Sequence, residues 1–425
     1  MGKRLAILLF GCLIAAPAWA AVDFQTLNFV ANTGGTTTTV STAFQAKGGV
    51  LISHGKTAEG ESAGDMFTIG LFDCTNDKSI SRSGDDAVAT TNVGRGFRDT
   101  DALQIFSNGN PTVPTGGTVS SVTCNTSNIV LTHNATPADA WEISAWIWGG
   151  ADITNVYVGQ DTIPTTVSTK DHTGPNFQPD FILLINTRRT AGGTSTNTIV
   201  NIGIATATDK EFSVLAAVRD SQTTSGGVDG ESKFRDNAVL MVGSVPTAEV
   251  ATADLSAWLT NGFQLNYTTV DGTAWVFGML AIKGGQWNSG VAAKPTSASA
   301  QNFSVGFTPR GIGFMMSSPT SVNIFTSNST TTVGAWDGTT ETYAGGFHND
   351  AINTVAKSSG GSTKVLCELN ATACADGTTL GTTSTITWDN TGTAHQLGWW
   401  AVGDNAGSKG RISNAGRFSN AGRVN

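Results

Sequence analysis

Charge is scarce in this 425-residue chain: Asp, Glu, Lys and Arg together make up 13% of it. The net charge is −8, and Lys and Arg form no patch in the body of the sequence. Binding along a phosphate backbone needs clustered cations, so nucleic acid is excluded as the expected partner. Histidine is sparse too, with His54, His133, His172, His348 and His395 the whole complement. None stands in an H-x-H strand pattern or at helical i, i+4 spacing, so no metal-ligand set can be read. Asp-rich turns such as SGDDA and GDNAGSKG lack the EF-hand pattern. Neither a metal nor another cofactor is therefore expected. Long periodic helical segments are also missing, which excludes helical bundles and coiled coils.

One long apolar run exists, at the start. Lys3 and Arg4 precede LAILLFGCLIAAP, and AWA ends at Ala20, the pattern of a signal peptide over residues 1–20. The run is about sixteen residues, short of the roughly 20 that span a bilayer. An uncleaved anchor is the competing reading. The expectation is export of a chain beginning at Ala21, with no membrane span after cleavage. Cysteine usage agrees, because beyond Cys12 there are four: Cys74, Cys124, Cys367 and Cys374. An even number in an exported chain points to disulfides. Three connectivities are open. Nearness in sequence favours Cys74–Cys124 and Cys367–Cys374, and without a C-x-x-C pair or a neighbouring His zinc is disfavoured.

What the chain has in quantity is glycine, 51 residues of it, and short runs of Val, Ile, Phe, Trp and Thr between turn-forming clusters. WEISAWIWGG, DFILLIN, TIVNIGIAT and LGWWAVG are strands by composition and length. Several are too uniformly apolar for a sheet with one wet face, so two packed sheets are expected. The fold class is all-β, with tandem β-sandwich (jelly-roll-like) domains. The strands also recur in order, at a period of about 120–135 residues, which suits tandem sandwiches rather than a solenoid. The units are placed at residues 21–152, 153–286 and 287–408, with a tail at 409–425. Short connections predict that neighbouring units abut.

Phe97-Arg98-Asp99 and Phe234-Arg235-Asp236 each precede an apolar run, and GGFHNDA from Gly345 is read as a degraded third version. A repeated ligand site would predict a faithful third copy. The triplet is therefore read as a strand-entry turn copied with its unit.

GFQLNYTTVDGTAWVFGMLAIKGG, FQPDFILLIN and GGADITNVYVG resemble the β-rich modules of tailed-phage virion proteins. The resemblance spans all three units and is best in the second. It implies a tail-fibre-like, surface or decoration component, and it carries no catalytic motif. A signal peptide departs from that pattern.

Three features invite chemistry. GESAG, residues 60–64, fits the G-x-S-x-G nucleophile elbow, but the motif needs a strand before it and a helix after it. Here a loop-like SHGKTAE precedes and a strand follows, so Ser62 is read as a turn residue. Glu142 beside Trp141 and Trp146 is the nearest approach to a sugar-facing acid, and Trp146 and Trp148 share one strand face. Aromatic stripes in sandwiches usually pack inward, so core is the expectation and a carbohydrate platform the alternative. Burial of Trp146 and Trp275 would separate the two. Finally GRISNAGRFSNAGRVN, residues 410–425, repeats every six residues. In an extended strand Ile412, Phe418 and Val424 fall on one face and Arg411, Arg417 and Arg423 on the other. Such a tail suits pairing with a sheet edge of a neighbour, or a solvated segment.

These readings predict an exported, non-enzymatic structural or adhesive surface protein that self-assembles or joins cell-surface or virion proteins. A secreted carbohydrate-binding or carbohydrate-active protein, with glycans as partners, is the alternative.

Overall fold

The computed structural model describes residues 21–88, 90–106, 111–222, 230–245, 248–349, 355–369 and 373–405. The leader and the 409–425 tail lie outside the described residues, with Arg411, Ile412, Arg417, Phe418, Arg423 and Val424. Among the described residues every regular element is a strand. The chain is all-β.

The first eleven strands are β1 (Asp23–Val30), β2 (Thr37–Ser41), β3 (Ala46–Ser53), β4 (Gly60–Ala63), β5 (Asp65–Phe72), β6 (Asp77–Gly84), β7 (Val93–Arg98), β8 (Leu103–Gln104), β9 (Thr118–Cys124), β10 (Asn128–His133) and β11 (Glu142–Gly149). Next come β12 (Ile153–Thr162), β13 (Ser168–His172), β14 (Phe181–Arg189), β15 (Gly193–Thr196), β16 (Thr198–Ala207), β17 (Lys210–Val218), β18 (Gly230–Arg235), β19 (Leu240–Ser244), β20 (Ala248–Leu259), β21 (Gly262–Thr269) and β22 (Val276–Gly284). The last are β23 (Gln286–Ala293), β24 (Ala300–Ser304), β25 (Pro309–Met316), β26 (Phe325–Ser327), β27 (Ser329–Trp336), β28 (Glu341–His348), β29 (Ala356–Gly361), β30 (Leu366–Glu368), β31 (Ala373–Thr379), β32 (Thr383–Trp388) and β33 (Gln396–Gly403).

They form three seven-stranded and three four-stranded antiparallel sheets. The larger sheets run β1-β11-β3-β5-β6-β7-β15, β12-β22-β14-β16-β17-β18-β26 and β23-β33-β25-β27-β28-β29-β4. The smaller ones run β2-β10-β9-β8, β13-β21-β20-β19 and β24-β32-β31-β30. Each smaller sheet closes an apolar layer with one larger sheet, giving three sandwiches.

The two kinds of strand differ because their faces meet different things. Outer strands alternate, as in NIVLTH of β10, with one face in the sandwich and one in water. Inner strands such as β5, β11 and β27 are buried at every position. Along β11, Ile143, Ala145 and Ile147 face the sandwich layer, while Trp146 and Trp148 face a second core shared by all three larger sheets. That shared core includes Phe24, Trp146, Trp148, Phe181, Trp287 and Trp400. Phe181 stacks on Trp287 at 4.3 Å, and Trp400 lies 5.6 Å from Trp148 and 5.7 Å from Phe24.

The seventh strand of each larger sheet comes from another sandwich. β15 pairs with β7, β26 with β18, and β4 with β29. The second sandwich thus lends a strand to the first, the third to the second, and the first to the third. The exchange is a closed cycle. After each lent strand a single residue with positive φ turns the chain back into its own sheet: Asn197 (59°), Asn328 (73°) and Gly64 (86°). Asn and Gly are the residues that hold this left-handed conformation at least cost. A second set of contacts runs the same way round. The Thr26 amide donates to Asp337 at 3.1 Å, the Val158 amide to Asp73 at 2.8 Å, and the Ser289 hydroxyl to the Lys210 carbonyl at 2.8 Å.

The residues that precede the three reversals pair with Gly94, Glu231 and Lys357. Counting on from these, Phe97 and Phe234 correspond to Gly360. The third counterpart of the Phe-Arg-Asp segments is therefore in β29. Residues 345–348, expected to hold it, lie in β28 instead. Phe97 and Phe234 are fully buried, and a side chain on Gly360 would collide with the His54 ring, 2.4 Å from its Cβ position. A histidine from the first sandwich stands where a third phenylalanine would need room.

Cys74 is bonded to Cys124, joining the β5–β6 turn to the end of β9, and Cys367 is bonded to Cys374 across β30 and β31. No described helix is long and apolar enough to cross a membrane.

Candidate functional sites at the seams

Polar chemistry gathers both where the sandwiches meet and inside them. At the seam of the third and first, Asp65 and Arg82 form an ion pair with both side chains fully buried. Burial raises the Asp65 pKa against the opposing pull of Arg82. Nearby, β4 places Glu59 and Ser362 in contact, the Ser362 amide donating to Glu59 at 3.1 Å. GESAG is thus a lent strand and its turn: Ser62 pairs with Ser358 of β29, and Gly64 supplies the reversal. No base addresses the Ser62 hydroxyl among the described contacts. The strand-to-helix geometry of a nucleophile elbow is absent there, because β4 runs through a one-residue turn into β5.

Glu142, at the start of β11, is 4% exposed. Burial raises its pKa, and the charge of Glu59 adds to this. The Asn28 amide nitrogen donates to Glu142 at 2.8 Å and to Glu59 at 2.9 Å. Glycoside hydrolysis would need a pair of carboxylates, but here one Asn28 amide nitrogen ties Glu59 and Glu142 together. His54 lies 3.9 Å from Glu142, and burial drives its pKa down to about 4. Trp141, Trp146 and Trp148 are all buried. Trp275 differs, being half-buried with its indole N–H donating to Asp271 at 2.9 Å.

Inside the third sandwich, buried Glu368 receives Lys294 at 3.0 Å and His395 at 2.8 Å. Burial alone would raise the Glu368 carboxyl, yet these two partners hold it below its usual range. A cavity of about 180 Å³ adjoins, lined by Ser318, Thr330, Glu368 and His395. Ser318, His395 and Glu368 look like a hydrolase triad on composition. Geometry argues otherwise: the second ring nitrogen of His395 bonds the Ser318 carbonyl, and the Ser318 hydroxyl donates to Thr330 at 2.6 Å. No ring nitrogen is left to activate that hydroxyl.

In the second sandwich His172 bridges Asp161, at 2.8 Å, and the Tyr267 hydroxyl, at 3.2 Å. His172 is fully buried, and burial lowers its pKa. His133 bonds Thr38 and the Gly116 carbonyl at 3.0 Å each. His348 has its pKa pushed down to about 4, by burial and then by Arg82. All five histidines are thus held in structural contacts, and no metal-holding cluster of His, Cys, Asp or Glu occurs among the described residues.

The sequence reading found none of these networks: Glu368 meets Lys294 and His395 only after folding, and closer pairs such as Asp161–His172 and Asp65–Arg82 lie on separate strands whose register the sequence does not show. It also missed Arg95, Arg188 and Arg189, which the fold brings to one seam. No protein-family model matches the chain, and no curated protein is similar to it.

Proposed function

We propose that this chain is an exported, non-enzymatic structural or adhesive surface component, acting in an extracellular assembly or a virion. The cyclic exchange of strands carries the reading. It joins three sandwiches around one aromatic core, and it commits polar groups that could do chemistry to holding that arrangement. The Asn28 clamp between Glu59 and Glu142, with Glu59 also bonded to Ser362, is the strongest instance at a seam; the fully bonded His395 ring does the same within the third sandwich. Building or display needs such rigidity, and a surface of three similar faces suits multivalent contact.

A second reading, saccharide binding, is favoured by half-buried Trp275 with Asp271 and Arg188 beside it. One experiment addresses both. The secreted protein, freed of its leader, is sized by light scattering with intact mass and then incubated with a polysaccharide panel. Assembly or adsorption without release of reducing ends is the expected result. Release of reducing sugar, lost in Glu142→Gln, would overturn the non-enzymatic reading.

A further inference from the structure

At the seam where β15 crosses from the second sandwich to the first, Arg95 is brought close to the adjacent pair Arg188 and Arg189, some ninety residues further along the chain. Arg95, on β7, donates through one terminal nitrogen to the Thr196 carbonyl at 3.0 Å and the Asn197 carbonyl at 2.9 Å. Arg189 donates to the Thr194 carbonyl at 2.8 Å, and its other terminal nitrogen lies against Gly193. Two guanidinium groups therefore bear on one four-residue strand. Arg188 sits in a bulge of β14, where the pairing with β22 slips between Asn186 and Arg189. Its φ is +55°, a strained conformation for a long side chain, and Asn186 holds it by accepting the Arg188 amide proton at 2.7 Å. Bulges of this kind re-aim side chains. Here the Arg188 guanidinium lies 5.1 Å over Trp275 and 3.9 Å from Asp271.

Three observations separate this cluster from ordinary surface charge. Arg95 is 9% exposed, yet its Nε has no hydrogen-bond partner, and the buried Nε atoms of Arg188 and Arg189 also have none. Unmet buried donors of this strength are costly and ask for an acceptor. Burial, and after it the repelling charges of Arg188 and Arg189, brings the Arg95 pKa down to about 10. The acids close by are Asp271, on Arg188, Asp99, against Gly192, and Asp220, which accepts the Val93 amide of β7 and whose own amide donates to Asn197. Lastly, the other two seams do without the arginine. Counting from the reversals, Arg95 corresponds to Ser232 and Ser358, so strand exchange itself does not need a guanidinium there.

We propose that this seam is an oxyanion-binding site, in which Arg95, Arg188 and Arg189 hold a sulfate, phosphate or carboxylate group. Guanidinium forks match such groups in shape as well as charge. The inference goes beyond the structural reading above and does not depend on it.

Calorimetric titration of the full chain at fixed ionic strength tests it. Inorganic sulfate and phosphate form one arm, and sulfated and uronic oligosaccharides form the other. Saturable one-site binding is expected, weakened about tenfold or more in Arg188→Gln and in Arg189→Gln, both half-exposed positions whose loss spares the core. Stronger binding by the oligosaccharides would place the oxyanion on a sugar, and equal binding would make it a free ion. Arg95→Gln should abolish binding, with its fold checked by circular dichroism. Absence of saturable heat in both arms, or affinity unchanged in the Arg188 and Arg189 variants, would overturn the proposal.

Discussion

Glu211 shows how a single buried residue sets the chemistry of this protein. It is 7% exposed, and its carboxylate accepts the Leu255 amide at 2.8 Å. Burial raises its pKa to about 8, from 4.5 in an open chain. The folded state therefore holds this proton more tightly than the unfolded state. Its stabilising contribution is full below about pH 4.5 and is lost as pH rises to about 8. Glu211→Gln should remove that part of the pH dependence, read as the difference in urea midpoint between pH 5 and pH 9. An identical pH dependence in both proteins would refute the assignment. His54 and His348 act in the other direction. Their folded pKa values near 4 mean that stability falls as pH drops below 6.5. Packing residues carry larger stakes. Trp400, fully buried against Phe24, Trp146 and Trp148, should cost roughly 3–5 kcal/mol when cut to Ala, measured by denaturant unfolding.

Among elements, the three lent strands are short, and each depends on its reversal residue. Asn197→Val should destabilise by about 1–2 kcal/mol because a β-branched residue resists positive φ, while Asn197→Gly should change little. Equal losses in the two variants would mean that the Asn197 side chain, which accepts the Asp220 amide at 2.8 Å, matters more than its backbone. The disulfides should rank by the loops they close. Cys74–Cys124 spans 50 residues and Cys367–Cys374 spans 7, for about 4 and about 2 kcal/mol on the chain-entropy account. Paired Cys→Ala variants and denaturant midpoints check the order. At this scale the sequence is readable in part. Uniformly apolar runs such as WEISAWIWGG correctly signal strands covered on both faces, and the strand that follows GESAG marks it as no elbow, although Ser62, expected in a turn, lies within β4. Which sheet a strand joins is invisible, because β4 and β29 are nearly three hundred residues apart and edge pairing is made by backbone groups common to every residue. The arginine seam is hidden for the same reason: β7 and β14 meet only after the strands have crossed.

For the molecule as a whole, closure removes a liability. A sheet edge such as β7 or β18 offers unpaired backbone groups, and here each is covered by the next sandwich round the cycle. A fragment of residues 153–286 keeps both a strand to lend, β15, and an edge to be covered, β18. Expressed alone, it should associate through that strand into rings or chains, seen as a concentration-dependent mass in light scattering. A strictly monomeric, stable fragment would show that the exchange is not needed for folding.

The first and last described strands also sit together. The Val22 amide donates to Asp404 at 2.9 Å, and the Asn405 amide donates to Asp152 at 2.9 Å. The described backbone thus ends beside its first described residues, at the connection where the first sandwich passes to the second. In a ring with that property the order of synthesis is arbitrary: a chain cut at Gly285 and rejoined from residue 405 to residue 21 would trace the same circuit from a different start. The fold, in this sense, has neighbours but no beginning.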